Sequence, residues 1–463
     1  MSAPSLESRP PEAWQPLMSL ARLAVRPLER FLRVEAASGI VLLTAAAVAL
    51  VLANSPWGEG YAHFWHTVIG FRVGGFELER PLEWLINDGL MVIFFFVVGL
   101  EIRRELHHGE LSDFRRALLP AAAALGGMVV PALIYLLVAG APQTRHGWGV
   151  PTATDIAFAV GVLTLLGKRV PPALRVLLLA LAVIDDLGAI IVIGLFYSSG
   201  ISLGGLGVAV AALLGIFLLQ RFGVRNKAVY VLPAVVAWAG VAASGIHPTI
   251  AGVAIGLITP VTAWLGPSGF LAGMQRELEA IDVRKPDSHE LSERLKHVAL
   301  VRREAMSPAE SLIELLHPWV AFGIMPLFAL ANAGVVVSGF SLEGPSARVA
   351  AGVVAGLVLG KPLGVTLACM LLVKTRLASL PVGLSLRHVL VLGTTAGIGF
   401  TMSLFVAQLA FDDAAQLSAA KMGVLAATGV ASLAALCFGA LALRPAPGTA
   451  AQSADEAEAS TTH

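Results

Sequence analysis

Stretches of about twenty consecutive apolar residues recur along nearly the whole chain, too many and too long to share one water-soluble core. A helix crossing the ~30 Å hydrocarbon layer needs roughly 20 such residues. In lipid no backbone group can turn to water, so stretches of this length fold as helices that satisfy themselves. Residues 36–54, 84–105, 117–140, 149–167, 171–198, 203–220, 227–243, 247–264, 313–336, 347–374, 386–411 and 417–443 supply twelve such spans. The predicted class is therefore an all-α polytopic membrane protein. Only 14% of residues are charged and 56% are hydrophobic, against about a quarter charged in an ordinary soluble domain.

Basic residues test the count, because Lys and Arg accumulate on the cytoplasmic side of a membrane. With the N-terminus placed in the cytoplasm, all but six of the 32 Lys and Arg fall on that side; Arg72, Arg80, Arg145, Arg348 and Lys421 lie outside, and Lys361 lies within a span. Both termini are thus expected in the cytoplasm. Residues 1–35 are polar rather than a signal peptide, and Leu20, Leu23, Leu28, Phe31 and Leu32 among five arginines predict an interfacial helix. Residues 36–264 carry the first eight spans and 313–443 the last four. The stretch 265–312, with seven Lys/Arg and eight Asp/Glu, reads as a cytoplasmic loop with a helix around Gln275–Ala280. Residues 444–463 are small and polar and read as a disordered tail. On the outer side Phe71 to Leu78 alternates about Gly74-Gly75, the pattern of a short hairpin or of an irregular loop. A free strand edge there could pair with a second copy of the chain. The formal net charge of +1 gives no case for nucleic acid, and the two cysteines, Cys369 and Cys437, provide neither a disulfide framework nor a thiolate metal site. No cofactor is implied.

The informative charges are those inside spans: Asp155, Asp185, Asp186 and Lys361. Each costs about 3 kcal/mol or more at the bilayer centre, so such residues are functional candidates unless they pair for structural reasons. Asp185 and Asp186 are adjacent, and neighbouring positions on a helix point about 100° apart, so the two carboxylates cannot do the same job. Carboxylate oxygens suit a hard cation such as sodium. A carboxylate deprived of water beside another anion can also hold a proton near neutral pH. Taking up either a cation or protons at one site is the minimum chemistry of an antiporter; a helix-end or structural ion pair is the plainer alternative. Lys361, in Gly360-Lys361-Pro362, needs a counter-charge that Asp185 or Asp186 can provide, or else snorkels from a helix end. Gly360 and Pro362 predict a local break there.

Two spans carry interruptions. The fourth opens Pro151-Thr152-Ala153-Thr154-Asp155-Ile156, and the eleventh contains Gly393-Thr394-Thr395-Ala396-Gly397-Ile398-Gly399-Phe400-Thr401. Broken segments at corresponding places in two halves point to the binding site of an inverted-repeat transporter. Set side by side, Thr152–Phe158 and Thr394–Phe400 share Thr, Ile and Phe. Asp155 would offset the positive ends of the half-helices and Lys361 the negative ends.

These segments, with Ile86-Asn87-Asp88-Gly89-Leu90-Met91, Val98 to Leu106, Gly245-Ile246-His247-Pro248-Thr249, His317-Pro318-Trp319-Val320 and Leu330-Ala331-Asn332-Ala333-Gly334, closely resemble the NhaA sodium/proton antiporter family over about residues 36–443. The resemblance implies twelve helices with inverted repeats, a core of helices 3–5 and 10–12 in which helices 4 and 11 are broken and cross, and a panel that supports a homodimer. It implies that Asp186 is the principal ion- and proton-binding carboxylate, that Asp185 is its partner and pairs with Lys361, and that Thr154 and Asp155 sit at the crossing. Asp185 and Asp186 would hold the transported Na+. Transport would be electrogenic, exchanging Na+ or Li+ for more protons across the bacterial inner membrane, in contact with its lipids, for sodium extrusion and pH homeostasis. Glu101, Arg104 and Glu105 match the family's pH-sensing cluster, or are an ordinary ion cluster at a helix end. His247 falls at a position linked to pH response, or is a capping histidine. The family has Glu four residues before His317; here Ile313 stands there and Glu314 follows, which alters the expected pH network.

Two rival classes are weighed on the residues. A carboxylate symporter would need a cationic pocket, whereas Lys361 faces two carboxylates. A membrane aspartyl protease needs one Asp on each of two helices; Asp185-Asp186 has the wrong geometry and no Gly-x-Gly-Asp segment occurs. An enzyme is not expected.

Overall fold

The computed structural model describes residues 35–73, 76–198, 200–279, 288–337 and 344–443. The predicted interfacial helix before residue 35 and the tail 444–463 lie outside the described residues. The described chain is nearly all helix. Helix α1 spans Glu35–Ala53 and α2 Gly58–His66, with an angle of 114° between Ala37–Ala53 and α2. Next come strands β1 (Val68–Val73) and β2 (Phe76–Pro81), then α3 (Leu82–His108) and α4 (Phe114–Ala139). A 3-10 segment, Arg145–Thr152, precedes α5 (Ile156–Leu165), and α6 (Pro172–Phe196), α7 (Leu203–Arg221), α8 (Val231–Ala243) and α9 (Thr249–Ile258) follow. The second part holds α10 (Pro267–Glu279), α11 (Ser288–Ala305), α12 (Pro308–Asn332), α13 (Gly344–Lys374), α14 (Leu386–Ala396), α15 (Phe400–Ala410) and α16 (Ala414–Ala442). Among the described residues seven helices are long and apolar enough to cross a membrane, or ten if each of three bent pairs counts as one; Lys227–Ala243 and α9 are shorter apolar helices. The chain is a multi-pass membrane protein.

Packing divides the helices into two bodies. In one, α13 packs along α4, with α6 on the far side of α4 and α14 and α16 against α13; Arg145–Thr152 lies on α4. In the other, α9 packs along α3, α7 against α8, and α12 on α1 and α3, while α1 also packs against α5 of the first body. Two glycine contacts, one in each body, show how closely the helix backbones approach. A Cβ on Gly364 of α13 would sit 2.0 Å from the Gly126 carbonyl of α4, and one on Gly256 of α9 would sit 2.7 Å from the backbone at Gly99 of α3. Within lipid such small-residue contacts let helix backbones touch, and van der Waals packing there replaces the hydrophobic drive that water would supply.

The strands form an antiparallel hairpin in the register Val68↔Pro81 to Val73↔Phe76, with Gly74-Gly75 between them. The sequence alternation thus marks a hairpin rather than an irregular loop, and its strands run beyond 71–78. Two other expectations change. The stretch 265–312 is not a loop with one helical patch: α10 and α11 pack together, with Glu277 3.4 Å from Arg294 and 3.5 Å from His297. The predicted break at Gly360-Lys361-Pro362 is absent. Gly356–Gly360 is instead a π-helical turn inside a continuous α13, which takes up the missing proline N–H without ending the helix. A similar turn, Val320–Ile324, precedes Pro326 in α12.

Gly364→Val should separate α13 from α4. We expect a loss of about 3 kcal/mol by overpacking, read as a lowered unfolding midpoint of the detergent-purified protein, with Gly364→Ala intermediate.

Candidate functional site

Two bent helix pairs face each other in the first body. Arg145–Thr152 and α5 meet at 44° across Ala153–Asp155, and α14 and α15 meet at 49° across Gly397–Gly399. The interruptions satisfy each other's freed backbone, as irregular chain at membrane depth must. The Asp155 N–H donates to the Ile398 carbonyl at 2.8 Å, and the Thr154 hydroxyl donates to the Ala396 carbonyl at 2.9 Å, at the C-terminal end of α14. Ser403 donates to the Val150 carbonyl at 2.8 Å, and Phe158 packs edge-on to Phe400.

Asp155 serves both helix starts. One oxygen accepts from the Phe158 N–H at 3.0 Å, capping α5, and the other accepts from the Thr401 N–H at 3.2 Å and from the Thr401 hydroxyl, at the start of α15. A carboxylate at two helix N-termini meets unsatisfied N–H groups and the positive ends of two dipoles. The helix starts set Asp155 opposite Gly399, since each caps its half-helix. The sequence match of Thr152–Phe158 with Thr394–Phe400 is therefore two residues out of structural register.

Lys361 approaches from α13, one residue past its π-turn, and its side chain is fully buried. Nζ donates to Asp185 Oδ2 at 2.6 Å and to Thr154 Oγ1 at 2.8 Å. Its stem runs beside Gly127 of α4. Through Thr154 it reaches the carbonyl end of α14, so the ammonium stands near a negative helix terminus. The structure thus selects Asp185 as the partner of Lys361 and rules out snorkelling. Asp186, next along α6, is 4% exposed, and its Oδ1 has no hydrogen-bond partner; Oδ1 of Asp185 has none either. Charges close enough to act on Asp186 belong to Asp185, Glu101, Asp155 and Lys361. The five sequence-derived candidates Thr154, Asp155, Asp185, Asp186 and Lys361 therefore converge. Thr401 and the Ala396 and Ile398 carbonyls were not foreseen as site groups; the Thr at the start of a half-helix was the available signal.

The remaining candidates are spread apart. Glu101, Arg104 and Glu105 share one face at the end of α3, at helical spacing; the charge of Glu101 acts on Asp186 and that of Arg104 on His317. His247 lies in the turn before α9, where Nε2 is 3.5 Å from Asp88 Oδ1 without hydrogen-bond geometry, and its ring packs edge-on to Phe405. Glu314 is exposed on α12, whereas Ile313 points inward with Leu100, Val261 and Ala309.

Comparison with known proteins gives the family. The sequence profile of the family described as Na+/H+ antiporter 1 matches residues 29–439. The chain is 66% identical to the Na(+)/H(+) antiporter NhaA 2 of Myxococcus xanthus over 463 residues, covering 99% of this chain and 98% of that protein. It is 56% identical to the protein of the same description from Sorangium cellulosum, with both chains covered in full. The chain belongs to the NhaA sodium/proton antiporter family. This is a family of transporters rather than enzymes.

Truncating Lys361 would strand Asp185 in a buried site. Lys361→Ala should cost about 3–5 kcal/mol, and adding Asp185→Asn should recover part of it, a coupling that thermal unfolding of the four proteins of the cycle measures. Asp155→Ala removes two caps and should cost about 2 kcal/mol; Asp155→Asn, which still accepts hydrogen bonds, should cost less in the same assay.

Proposed function

We propose that this chain is an electrogenic secondary antiporter that exchanges Na+ or Li+ for H+ across the bacterial inner membrane, extruding sodium and regulating internal pH. The observation that carries the reading is the unequal fate of two adjacent buried carboxylates on α6. Asp185 is held by Lys361 through Oδ2, whereas among the described residues no side chain forms an ion pair with Asp186, whose Oδ1 has no partner. Asp186 is then the group for which a sodium ion and protons compete, a hard oxygen donor for the one and a base for the other. Asp185 joins when Lys361 lets go, providing further oxygens for the cation. Because protons taken up at Asp186 and at the Lys361–Asp185 pair accompany the release of one sodium ion to the outside, more positive charge enters as protons than leaves as sodium, and the cycle is electrogenic. Thr154 and Asp155 fix the crossing on which the ion sits.

In this reading each of the pairs 145–165 and 386–410 is one interrupted span. With α1, α3, α4, α6, α7, Lys227–Ala243, α9, α12, α13 and α16 they make twelve, and both termini lie in the cytoplasm. The first body is the moving core and the second a panel. The β1–β2 edge, left unpaired within one chain, suits a homodimer. Apolar side chains on the outer faces of the helices, such as Leu137, Leu203 and Leu441, meet lipid. Glu101, Arg104, Glu105 and His247 are the pH-responsive groups, and the exposed Glu314 contributes little beside the inward Ile313. A carboxylate symporter is disfavoured because Lys361 is already engaged by a carboxylate.

The test is purified protein in sealed liposomes with an internal pH dye. An imposed sodium gradient should move protons, and Asp186→Asn should reduce that movement at least a hundredfold while the protein stays folded. Retained sodium-dependent proton movement in Asp186→Asn would refute the assignment.

A further inference from the structure

A second set of contacts joins the two bodies at the end of the molecule that bears the hairpin, well away from the Lys361–Asp185 pair in sequence and partners. It starts from one face of α15. Thr401 on that face bonds Asp155 at the site. One turn on, Phe405 is wedged among rings of the panel, with centroids 5.2 Å from Phe95 of α3, 6.2 Å from Phe328 of α12 and 5.3 Å from His247. A further turn on, Gln408 carries the polar contacts. Its Nε2 donates to Glu83 Oε1 of α3 at 3.0 Å and to Asn332 Oδ1 of α12. Asn332, fully buried, in turn donates to Asn87 Oδ1 at 2.8 Å and to the Phe328 carbonyl at 3.0 Å. Glu83 is also approached by His66 at 3.7 Å, and the charge of Lys421 on α16 acts across the same gap.

The partners divide cleanly between the bodies. Gln408 and Lys421 belong to the core; Glu83, Asn87 and Asn332 belong to the panel. Apart from these groups α15 packs chiefly on Arg145–Thr152 and α16 and only lightly on α12. An apolar seam with one amide nitrogen bonded to two panel residues behaves as a discrete two-state contact. Shape-matched rings slide apart at modest cost, whereas the bonds of Gln408 either exist or do not, and parting them leaves the fully buried Asn332 and the half-buried Gln408 and Glu83 unmatched until water reaches them. Alternating access requires the core to move against the panel on the outer side of the ion site.

We propose that Gln408, through Glu83 and Asn332, is an outer latch over the Phe405 seam: closed, it seals Asp186 from the hairpin side, and it must open once in every transport cycle. This rests on the antiport reading and adds to it the element that sets which side is closed at rest. No ion binds at the latch; its role is to weight the two states.

The experiment uses the full chain with Cys369→Ala and Cys437→Ala, carrying Glu83→Cys and Gln408→Cys, reconstituted in liposomes. A short, reducible, bifunctional thiol reagent should lower sodium-driven proton movement at least tenfold, and reduction should restore it. The two single-cysteine proteins should be unaffected by the reagent. Exchange at the unlinked rate in fully cross-linked protein would overturn the proposal. Loss of exchange in the double variant before linking would place the pair in the ion path and also overturn the latch, while exchange by the parent protein, which tests antiport itself, would stand apart. An independent arm is Gln408→Leu. Removing its bonds should raise the outward-open population, so the apparent KM for sodium added on the hairpin side should fall about fivefold. An unchanged KM on that side would count against the latch.

Discussion

Everything in the core is arranged around one problem: an ammonium and three carboxylates lie where water does not reach. A lone charge at that depth costs about 3 kcal/mol or more, and pairing offsets the cost only with good geometry. Lys361 meets both conditions, with Asp185 at 2.6 Å and Thr154 at 2.8 Å. Asp155 meets them without a cation, by taking N–H groups from two helix starts. The two solutions depend on each other. Thr154 and Asp155 are neighbours in the same three-residue interruption, so the bend that presents one to Lys361 presents the other to α15. Asp186 alone lacks such a partner, and a carboxylate that the fold leaves unmatched is available to a mobile ion.

The interruptions also explain why the close glycine contacts matter. Lys361 can be held at one depth only if α13 cannot slide along α4, and the backbone contact of Gly364 with Gly126, together with the stem resting beside Gly127, fixes that depth. The π-turn at Gly356–Gly360 has the same consequence. It absorbs Pro362 without ending the helix, so the chain on both sides of Lys361 stays one continuous helix. Rigid elements carrying a few exchangeable polar contacts suit alternating access, because small changes at the site are passed on rather than dissipated.

Much of the site could be read from the residues because charge in an apolar run has no cheap explanation. Asp155, Asp185, Asp186 and Lys361 stand out for that reason alone. Which aspartate Lys361 chooses came only from the family resemblance, which pointed to Asp185, since adjacent carboxylates differ only in the direction they leave the helix. Gly360-Lys361-Pro362 was misleading: proline forbids one hydrogen bond, and whether the helix breaks or widens there depends on the neighbouring helix. The two interruptions were visible as clusters of Gly, Pro and Thr, but their mutual register was not, because a shared Thr-Ile-Phe pattern says nothing about where each half-helix begins. Gln408 and Glu83 escaped notice altogether, and Asn332 stood out only as part of a segment that resembles the family. Uncharged amides and a carboxylate at a span end carry no penalty signal, and their meaning lies in contacts between residues up to 325 positions apart.

The same reasoning bears on the end of α3 where Glu101, Arg104 and Glu105 gather. A side chain on α12 can join that group only if its helical phase points toward α3. Ile313 has that phase and spends it on an apolar contact with Leu100, Val261 and Ala309. Glu314, about 100° further round, is turned to the exposed side. One position of phase thus replaces a carboxylate with a hydrocarbon contact at the junction of α3 and α12. The charges acting on Glu101 include those of Arg104 and Glu105 of its own helix, and the charge of Arg104 acts on His317 of α12. The inward Ile313 thus leaves this junction with one acid fewer than a carboxylate in its phase would supply.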